Sequence, residues 1–519
     1  MGAEQKAQRV RIQLQPLGVA CEVERGAPLQ DPLFMHGVEF PCGGKGRCRG
    51  CRVRVLRGVL PITPEDEKML GPEDLAAGWR LACRSSPETD LTIELAHWEV
   101  PILADDSRFE FVPREGLGIA VDVGTTTLVA QLVDLGTGHV LSVRSALNAQ
   151  ARHGADVMSR VEFALAARGQ KQLEQLIRRQ IDRMVTGLIL AAKVDATRIR
   201  DVVLVGNTVM HQLFCGVALE PLSHYPFIPR DAGMKILRVS ELRWTLPADT
   251  TIRFLPCLGG FVGSDILAGV MATKLGESEE LVGLVDLGTN GEIVIGNCRR
   301  LLCASTAAGP AFEGARISMG MRASTGAITE VGSEQGRLTC RVFGNVVPRG
   351  LCGSGVVDAV AAGLDSGVIN ASGRFANGRR DWALAPPVTL NQNDIRELQL
   401  AKAAIAAGIE ILLNRWGATR ADVSRVFLAG AFGNFVNRWS AQRIGLLDFP
   451  AEKVQPAGNT ALLGAKIALF SHEDDAGSYS RMRKDRTPAP ERRPQLSGSI
   501  RGGDEFSSTP TCSRVRLPL

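Results

Sequence analysis

The sequence predicts an α/β chain of two similar lobes behind a small cysteine-bearing N-terminal module. Three observations carry that expectation. A Gly-rich strand–turn–strand occurs twice, as IAVDVGTTTLVA at 119–130 and as LVDLGTNGEIVI at 284–295. Each copy continues into a third apolar strand and later reaches a strand that ends in glycine and opens a helix, VVLVG at 202–206 and VFLAG at 426–430. Ahead of both, Cys42, Cys48 and Cys51 stand in a C-x5-C-x2-C pattern on a glycine-rich loop.

The hairpins set the chemistry of the lobes. In the second copy an apolar run from Leu281 to Leu287 breaks at Gly288-Thr289-Asn290-Gly291, and Ile293-Val294-Ile295 resumes it. Glycines let backbone N–H groups approach an anion, and Thr289 and Asn290 add side-chain donors. Asp286, at the mouth of the turn, is placed to hold Mg²⁺ through water. One such hairpin reads equally well as an ordinary turn. The first copy repeats the order with Asp122, Gly124, Thr125, Thr126 and Thr127. An internal duplication of this kind predicts two phosphate hairpins facing each other as a nucleotide clamp.

Bulk properties bound the rest. At 519 residues the chain is too long for one core, so several domains are expected. A net charge of +5 is small for this length and argues neither for nor against nucleic acid, which is not expected as a partner. No apolar run is long enough to span a membrane, and the polar N-terminus lacks a secretory h-region. Gly2 is a weak myristoylation cue, since Lys6 stands where Ser or Thr is needed. A cytoplasmic location is expected. There, twelve cysteines read as metal ligands or buried thiols before disulfides.

Along the chain, Val10, Ile12 and Leu14, then Val19, Cys21 and Val23, alternate as strands do, with a hairpin at Pro16-Leu17-Gly18 and a short helix over 29–36. The three loop cysteines are joined by Cys83 after 31 intervening residues. Three thiolates on one glycine-rich loop plus a fourth from elsewhere suit a [2Fe–2S] cluster. Lys45, Arg47 and Arg49 would tune its potential. Zinc competes less well, because only one C-x2-C pair is present; redox-inert buried thiols are the third reading. Cys21 reads as core.

Residues 98–116 read as a linker, 117–277 as the first lobe and 278–471 as the second. A long helical stretch over 157–193 carries an Arg/Gln-rich face, read as solvated surface and not as a nucleic-acid patch. In the second lobe, small residues at 305–314 lie beside the expected phosphates, with Glu313 as the one candidate hydrolytic base. Gly353 and Ser354 open a helix as a further phosphate-facing or hinge element. Asn393-Asp394 reads as the cap of a helix with a core stripe from Ile395 to Trp416. The turn Gly430-Ala431-Phe432-Gly433 can admit an adenine or ribose. From about 472 to 519, Arg, Ser, Pro and Gly without periodicity predict disorder.

CGGKGRCRGC at 42–51, with LACR at 81–84, resembles the cluster loop of plant-type and vertebrate-type ferredoxin domains, and implies a β-grasp module over residues 1–97 with Cys42, Cys48, Cys51 and Cys83 as ligands. The duplicated lobes resemble the superfamily of acetate and sugar kinases, Hsp70 and actin, with its ribonuclease H-like lobes. That resemblance implies ATP in the interlobe cleft, Asp122 and Asp286 on Mg²⁺ through water, Gly124–Thr127 and Gly288–Gly291 on phosphates, and Gly430–Gly433 on adenosine. The ordered set VDVGTTT, VGNTVMH, DLGTNGE, STAAGPAFEG, CGSG, DIRELQLAKAAI and LAGAFGNF is similar to the reductive activators of corrinoid proteins, over roughly residues 5–470.

This family implies ATP-dependent electron delivery to cob(II)alamin in a corrinoid protein or cobalamin-dependent methyltransferase. The electron would come from an external reductase or ferredoxin, since no flavin or nicotinamide fingerprint is present. An uphill transfer of ~200 mV costs about 4–5 kcal/mol, which a ferredoxin module alone does not supply. Longer family members carry a more extended region between ferredoxin and ATPase, tied to dimerisation. Here it is about twenty residues, which leaves a homodimer open. Rival readings are a small-metabolite kinase, a ferredoxin-type reductase or electron-transfer module whose lobes only bind a regulatory nucleotide, and a chaperone-like ATPase with an accessory redox domain.

Overall fold

Alternation at the N-terminus produces a five-stranded sheet of β1 (Arg9–Gln15), β2 (Val19–Glu24), β3 (Arg52–Arg57), β4 (Trp79–Leu81) and β5 (Leu91–Leu95), in the order β2-β1-β5-β3-β4. The structure, a computed structural model, describes residues 9–15, 18–34, 36, 38, 46, 51–95, 109–314, 316–334, 337–433 and 435–471. The Pro16-Leu17 turn, Cys42, Cys48, most of the linker and the 472–519 tail lie outside them. β1 and β5 run parallel and the other pairs antiparallel, the β-grasp arrangement. Its inward face buries Ile12, Leu14, Val53, Ile93 and Leu95 under Leu29 and Leu33, which flank and join the short helix Gln30–Phe34. Cys21 is half-buried against that core.

The first lobe is built on β6 (Leu117–Val123), β7 (Thr127–Asp134), β8 (Val140–Leu147), β9 (Ile199–Gly206), β10 (Lys235–Leu237) and β11 (Thr251–Phe254), in the order β10-β11-β9-β6-β7-β8. The second repeats its centre with β12 (Val282–Leu287), β13 (Gly291–Gly296) and β14 (Leu301–Thr306). It adds a small sheet of β15 (Ala327–Glu334), β16 (Arg337–Val342) and β17 (Gly350–Leu351), then the hairpin β18 (Asp381–Ala385) and β19 (Val388–Asn391). β20 (Arg425–Ala429) and β21 (Val454–Gly458) complete the main sheet as β14-β13-β12-β20-β21. In both lobes an antiparallel three-strand unit is joined to two parallel strands through its first strand. The duplication read from two short motifs therefore extends to strand order and direction.

Two helical readings need correction. The stretch 157–193 is two helices, Val157–Leu165 and Gly169–Ala192, and not one. Arg168 takes a left-handed φ of 65°, and a Cβ at Gly169 would overlap the Phe163 carbonyl. The helix Gln392–Trp416 is capped by Asn391, two residues earlier than expected, and Asp394 is the returning member of a capping box. The Asp394 carboxylate also takes the Ser318 N–H at 2.6 Å and its hydroxyl at 2.7 Å, a tertiary contact invisible to cap rules. The stripe from Ile395 to Leu413 is core, while Trp416 stays half-buried under the Arg300 guanidinium.

The lobes exchange their last helices. Ser264–Ala272, which ends the first lobe, packs Ile266, Leu267 and Val270 against Val282, Leu284 and Val294 of the second-lobe sheet. Thr460–Ala468, which ends the second, packs Ala461, Leu462 and Ala465 against Ala120, Val129 and Val203 of the first. Phe109 and Phe111, just before β6, close this layer around Phe470, with ring centroids 5.3 and 4.4 Å away. The two helices cross at small residues: a Cβ on Gly464 would overlap the Ala268 carbonyl. Gly464→Ala gains about 1 kcal/mol of helix propensity. Forcing these backbones apart is expected to outweigh it, for a net loss of ~1–3 kcal/mol in denaturant unfolding; a stabilised variant would show that the crossing yields freely.

Candidate functional site

The turns between β6 and β7 and between β12 and β13 meet across the cleft at the carboxyl ends of the parallel strands, where open α/β sheets bind ligands. Thr126 Oγ1 and Thr289 Oγ1 are 3.1 Å apart. Glu313 spans both: its Oε1 accepts from Thr289 Oγ1 at 2.7 Å and its Oε2 from Thr126 Oγ1 at 3.5 Å. The structure thus brings Thr126, Thr289 and Glu313 into one cluster. The first turn is pinned from behind: Asn148 Nδ2 donates to the Gly124 carbonyl at 2.8 Å, and Asn207 Nδ2 donates to Thr125 Oγ1 at 2.8 Å. The wholly buried Arg160 donates to the Thr125 carbonyl.

Steric room separates the glycines. A Cβ at Gly124 would overlap the Thr127 carbonyl, and one at Gly291 would strike Ile405, whereas one at Gly288 would lie 3.7 Å from the Asn290 carbonyl, an ordinary contact. Gly430, at φ +87°, brings its turn within 2.6 Å of Asp286 Oδ1, measured from an ideal Cβ, so a side chain there would push the turn off the carboxylate. Phe432 lies stacked on Phe312 at 4.9 Å, and Gly353 packs against both. Ser354 Oγ is buried and donates to the Thr329 carbonyl at 2.8 Å.

Four carboxylates crowd the cleft. Burial pushes Asp122 up to about 7 from an ordinary 3.8, against the lowering hydrogen bond from Asn459 Nδ2 at 3.2 Å. Burial, then the charges of Asp265 and Asp122, push Asp286 to about 7. Burial also raises Asp265, and with the Asp265 and Asp286 charges it lifts Glu292 well above the usual carboxylate range. Such mutual repulsion is what a divalent cation relieves. Among the described residues no three His, Cys, Asp or Glu side chains converge tightly enough to hold an ion directly. Asp122 and Asp286 are the pair of carboxylates that could hold a cation here.

Sequence reasoning missed Asp265, Glu292, Asn148, Asn207 and Asn459 as cleft residues. Asn207 and Asn459 cap the helices Thr208–Cys215 and Thr460–Ala468, and Asn148 caps the turn Ala149–Arg152. Asx caps directly after strand ends were the available signal.

In the β-grasp module, the Ala82 N–H donates to the Cys51 carbonyl at 3.1 Å, which sets the loop end beside the Ala82–Arg84 turn. Cys51 and Cys83 are both buried there. Gly46, at φ +64°, lies against Arg84 and Glu65, with no space for a Cβ. Two of the four expected cysteines are thus gathered on one side of the module, as a cluster requires; Cys42 and Cys48 lie outside the described residues. The module is docked on both lobes. Leu147 and Ala149, flanking Asn148, join its hydrophobic core. Arg349 of the second lobe donates to Glu94 of β5 at 2.7 Å.

Family profiles match in the same order: the 2Fe-2S iron-sulfur cluster binding domain over residues 12–88, the RACo middle region over 117–278, and the C-terminal ASKHA domain of RACo over 280–483. The corrinoid activation enzyme RamQ of Eubacterium limosum is 36% identical, across 83% of this chain and 88% of its own. The chain belongs to the RACo family of corrinoid activators. Within that family, the [Co(II) methylated amine-specific corrinoid protein] reductase of Methanosarcina barkeri is 28% identical over 67% of this chain and 69% of its own. The solved reductive activator for corrinoid, iron-sulfur protein superposes with a TM-score of 0.67 at 26% identity, covering 96% of this chain and 98% of that one. Among the described residues of this RACo-family chain, no helix is long and apolar enough to cross a membrane.

Proposed function

We propose that this chain couples ATP to the one-electron reduction of cob(II)alamin to Co(I), in a corrinoid protein or cobalamin-dependent methyltransferase. The observation that carries the reading is the docking of the cysteine module onto the end of β8 and the turn after it, which hold the first hairpin. Leu147 and Ala149 sit in the module's core, while Asn148 between them holds the Gly124 carbonyl. A nucleotide that moves the first hairpin is thereby felt at the module.

In this reading residues 1–97 are the redox module, 98–116 its linker, and 117–277 and 278–471 the lobes. A [2Fe–2S] cluster on Cys42, Cys48, Cys51 and Cys83 would supply the single electron, refilled by an external reductase or ferredoxin in the cytoplasm. Gly124–Thr127 and Gly288–Gly291 hold the ATP phosphates, Gly353 and Ser354 shape the cleft floor, and Gly430, Ala431, Phe432 and Gly433 bound the adenosine. Asp122 and Asp286 hold the waters around Mg²⁺. Glu313, touching both hairpin hydroxyls, orients or deprotonates the attacking water. Cleft closure selects one partner conformation and so shifts the acceptor's potential.

The test is anaerobic: purified protein, a chemical reductant and a cob(II)alamin-loaded corrinoid protein, followed in the visible spectrum with and without Mg-ATP. Co(I) is expected only with ATP and intact cysteines. Phosphorylation of a metabolite, or partner activation that survives replacement of all four cysteines by serine, would move the assignment to a kinase or a chaperone-like ATPase.

A further inference from the structure

On the second lobe a groove of about 980 Å³ lies between the β15–β16 hairpin and the segment Phe435–Trp439. Its walls mix charged and polar side chains with exposed apolar ones: Phe435 is 58% exposed, Trp439 65% and Val346 45%. Large exposed aromatics gathered on a concave face mark recognition surfaces. Asp358 also lines it, only 3% exposed, and among the described residues its Oδ1 has no hydrogen-bond partner. The carboxylate is otherwise held by the Ser440 side chain and by the Val331 N–H, which reaches Oδ2 at a long 3.4 Å. A buried carboxylate oxygen left unpaired is costly, and a donor brought from outside would satisfy it. Burial raises this carboxyl to about 6, as is usual for an acid lacking a cation.

The rim does not supply that cation. Arg341 is paired with Glu330 at 2.9 Å, and Arg438 donates to the Val454 carbonyl at 2.9 Å. A guanidinium or ammonium entering between Phe435 and Trp439 would meet aromatic faces on its way to Asp358, a favourable setting for a cation. The groove also shares two elements with the cleft. The helix Gly353–Asp365 starts against Phe312 and Phe432 and carries Asp358. The Phe435 and Val436 N–H groups donate to the Phe432 carbonyl at 3.0 and 3.1 Å.

We propose that this groove is the docking site for the corrinoid protein, which inserts an arginine or lysine from an apolar surface loop between Phe435 and Trp439 onto Asp358. The inference rests on the proposed function and assigns the surface where the partner senses nucleotide.

Initial rates of Co(I) formation against concentration of the cob(II)alamin-loaded corrinoid protein, at saturating Mg-ATP, test it in the full chain. Asp358→Asn and Trp439→Ala are expected to raise the KM for that protein about tenfold or more, with partner-free ATP hydrolysis and cluster absorbance unchanged. Trp439→Phe should recover most of the loss. Ile228→Ala, an equally exposed apolar residue on the first lobe, should change nothing. Wild-type KM in both groove variants overturns the docking site and leaves the proposed function standing. Self-association of the wild type that Trp439→Ala abolishes, at unchanged KM, places a second copy in the groove and also overturns it. If the wild type forms no Co(I) at any partner concentration, the proposed function falls and the assigned occupant with it.

Discussion

Asp286→Asn is expected to cut ATP-dependent Co(I) formation about 10- to 100-fold, the usual cost of losing a group that acts on a metal through an intermediary. The amide keeps the shape beside Gly430 but, in the proposed reading, offers no charge to the waters around Mg²⁺. The fold should survive, because the substitution removes a carboxylate that burial and its neighbours Asp265 and Asp122 already disfavour. The pH dependence follows from the same crowding. Asp122 and Asp286, raised to about 7 in the folded chain from 3.8, hold protons there that the unfolded chain has released. Without ligand, folding stability is therefore expected to fall as pH rises from about 4 to about 7, while Mg-ATP affinity climbs over the upper part of that window. Thermal unfolding with and without Mg-ATP at pH 5.5 and 8 reads both signs. In Asp286→Asn the pH dependence of ligand stabilisation should shrink. An unchanged profile would remove this carboxylate from the metal's surroundings.

Cys83→Ser should separate the two halves of the reaction. Serine is a harder and far less acidic ligand than a thiolate, so the visible absorption of the [2Fe–2S] cluster is expected to be lost or severely weakened. Co(I) formation should fall to the level seen without the protein. Burying a hydroxyl in the Cys83 site costs the module about 1–3 kcal/mol. The lobes carry their own cores, and ATP binding should stay within about twofold. Isothermal titration with Mg-ATP beside the absorption spectrum separates a lost cluster from a collapsed chain. Full Co(I) formation by Cys83→Ser would end the electron-transfer reading.

Local chemistry explains what was legible in advance. Asp122 with Gly124–Thr127, and Asp286 with Gly288–Gly291, were readable because a turn's backbone and donors are set by adjacent residues. That the two motifs belong to duplicated lobes followed from seeing the pattern twice; the strand order around them came from the structure. The 157–193 stretch was misjudged because Arg168 is an ordinary helix former in sequence and enters the left-handed region only where Gly169 meets Phe163. Asn391 was passed over for Asn393 because either can cap, and the choice rests on where β19 ends and on Ser318 reaching Asp394.

By itself the sequence determined the three modules, their order and the two duplicated Gly-rich hairpins, all properties of short contiguous runs. Tertiary structure alone decided that Glu313 bridges Thr126 and Thr289, and that Asp265 and Glu292 join the cleft carboxylates. It also decided that Asn459 reaches back to Asp122 and that the β-grasp module rests on Leu147 and Arg349. The physical reason is separation along the chain. Asn459 and Asp122 stand 337 residues apart. Only the exchange of terminal helices between the lobes, driven by burial of Leu462 and Ile266 on the opposite sheets, brings such pairs within hydrogen-bonding distance.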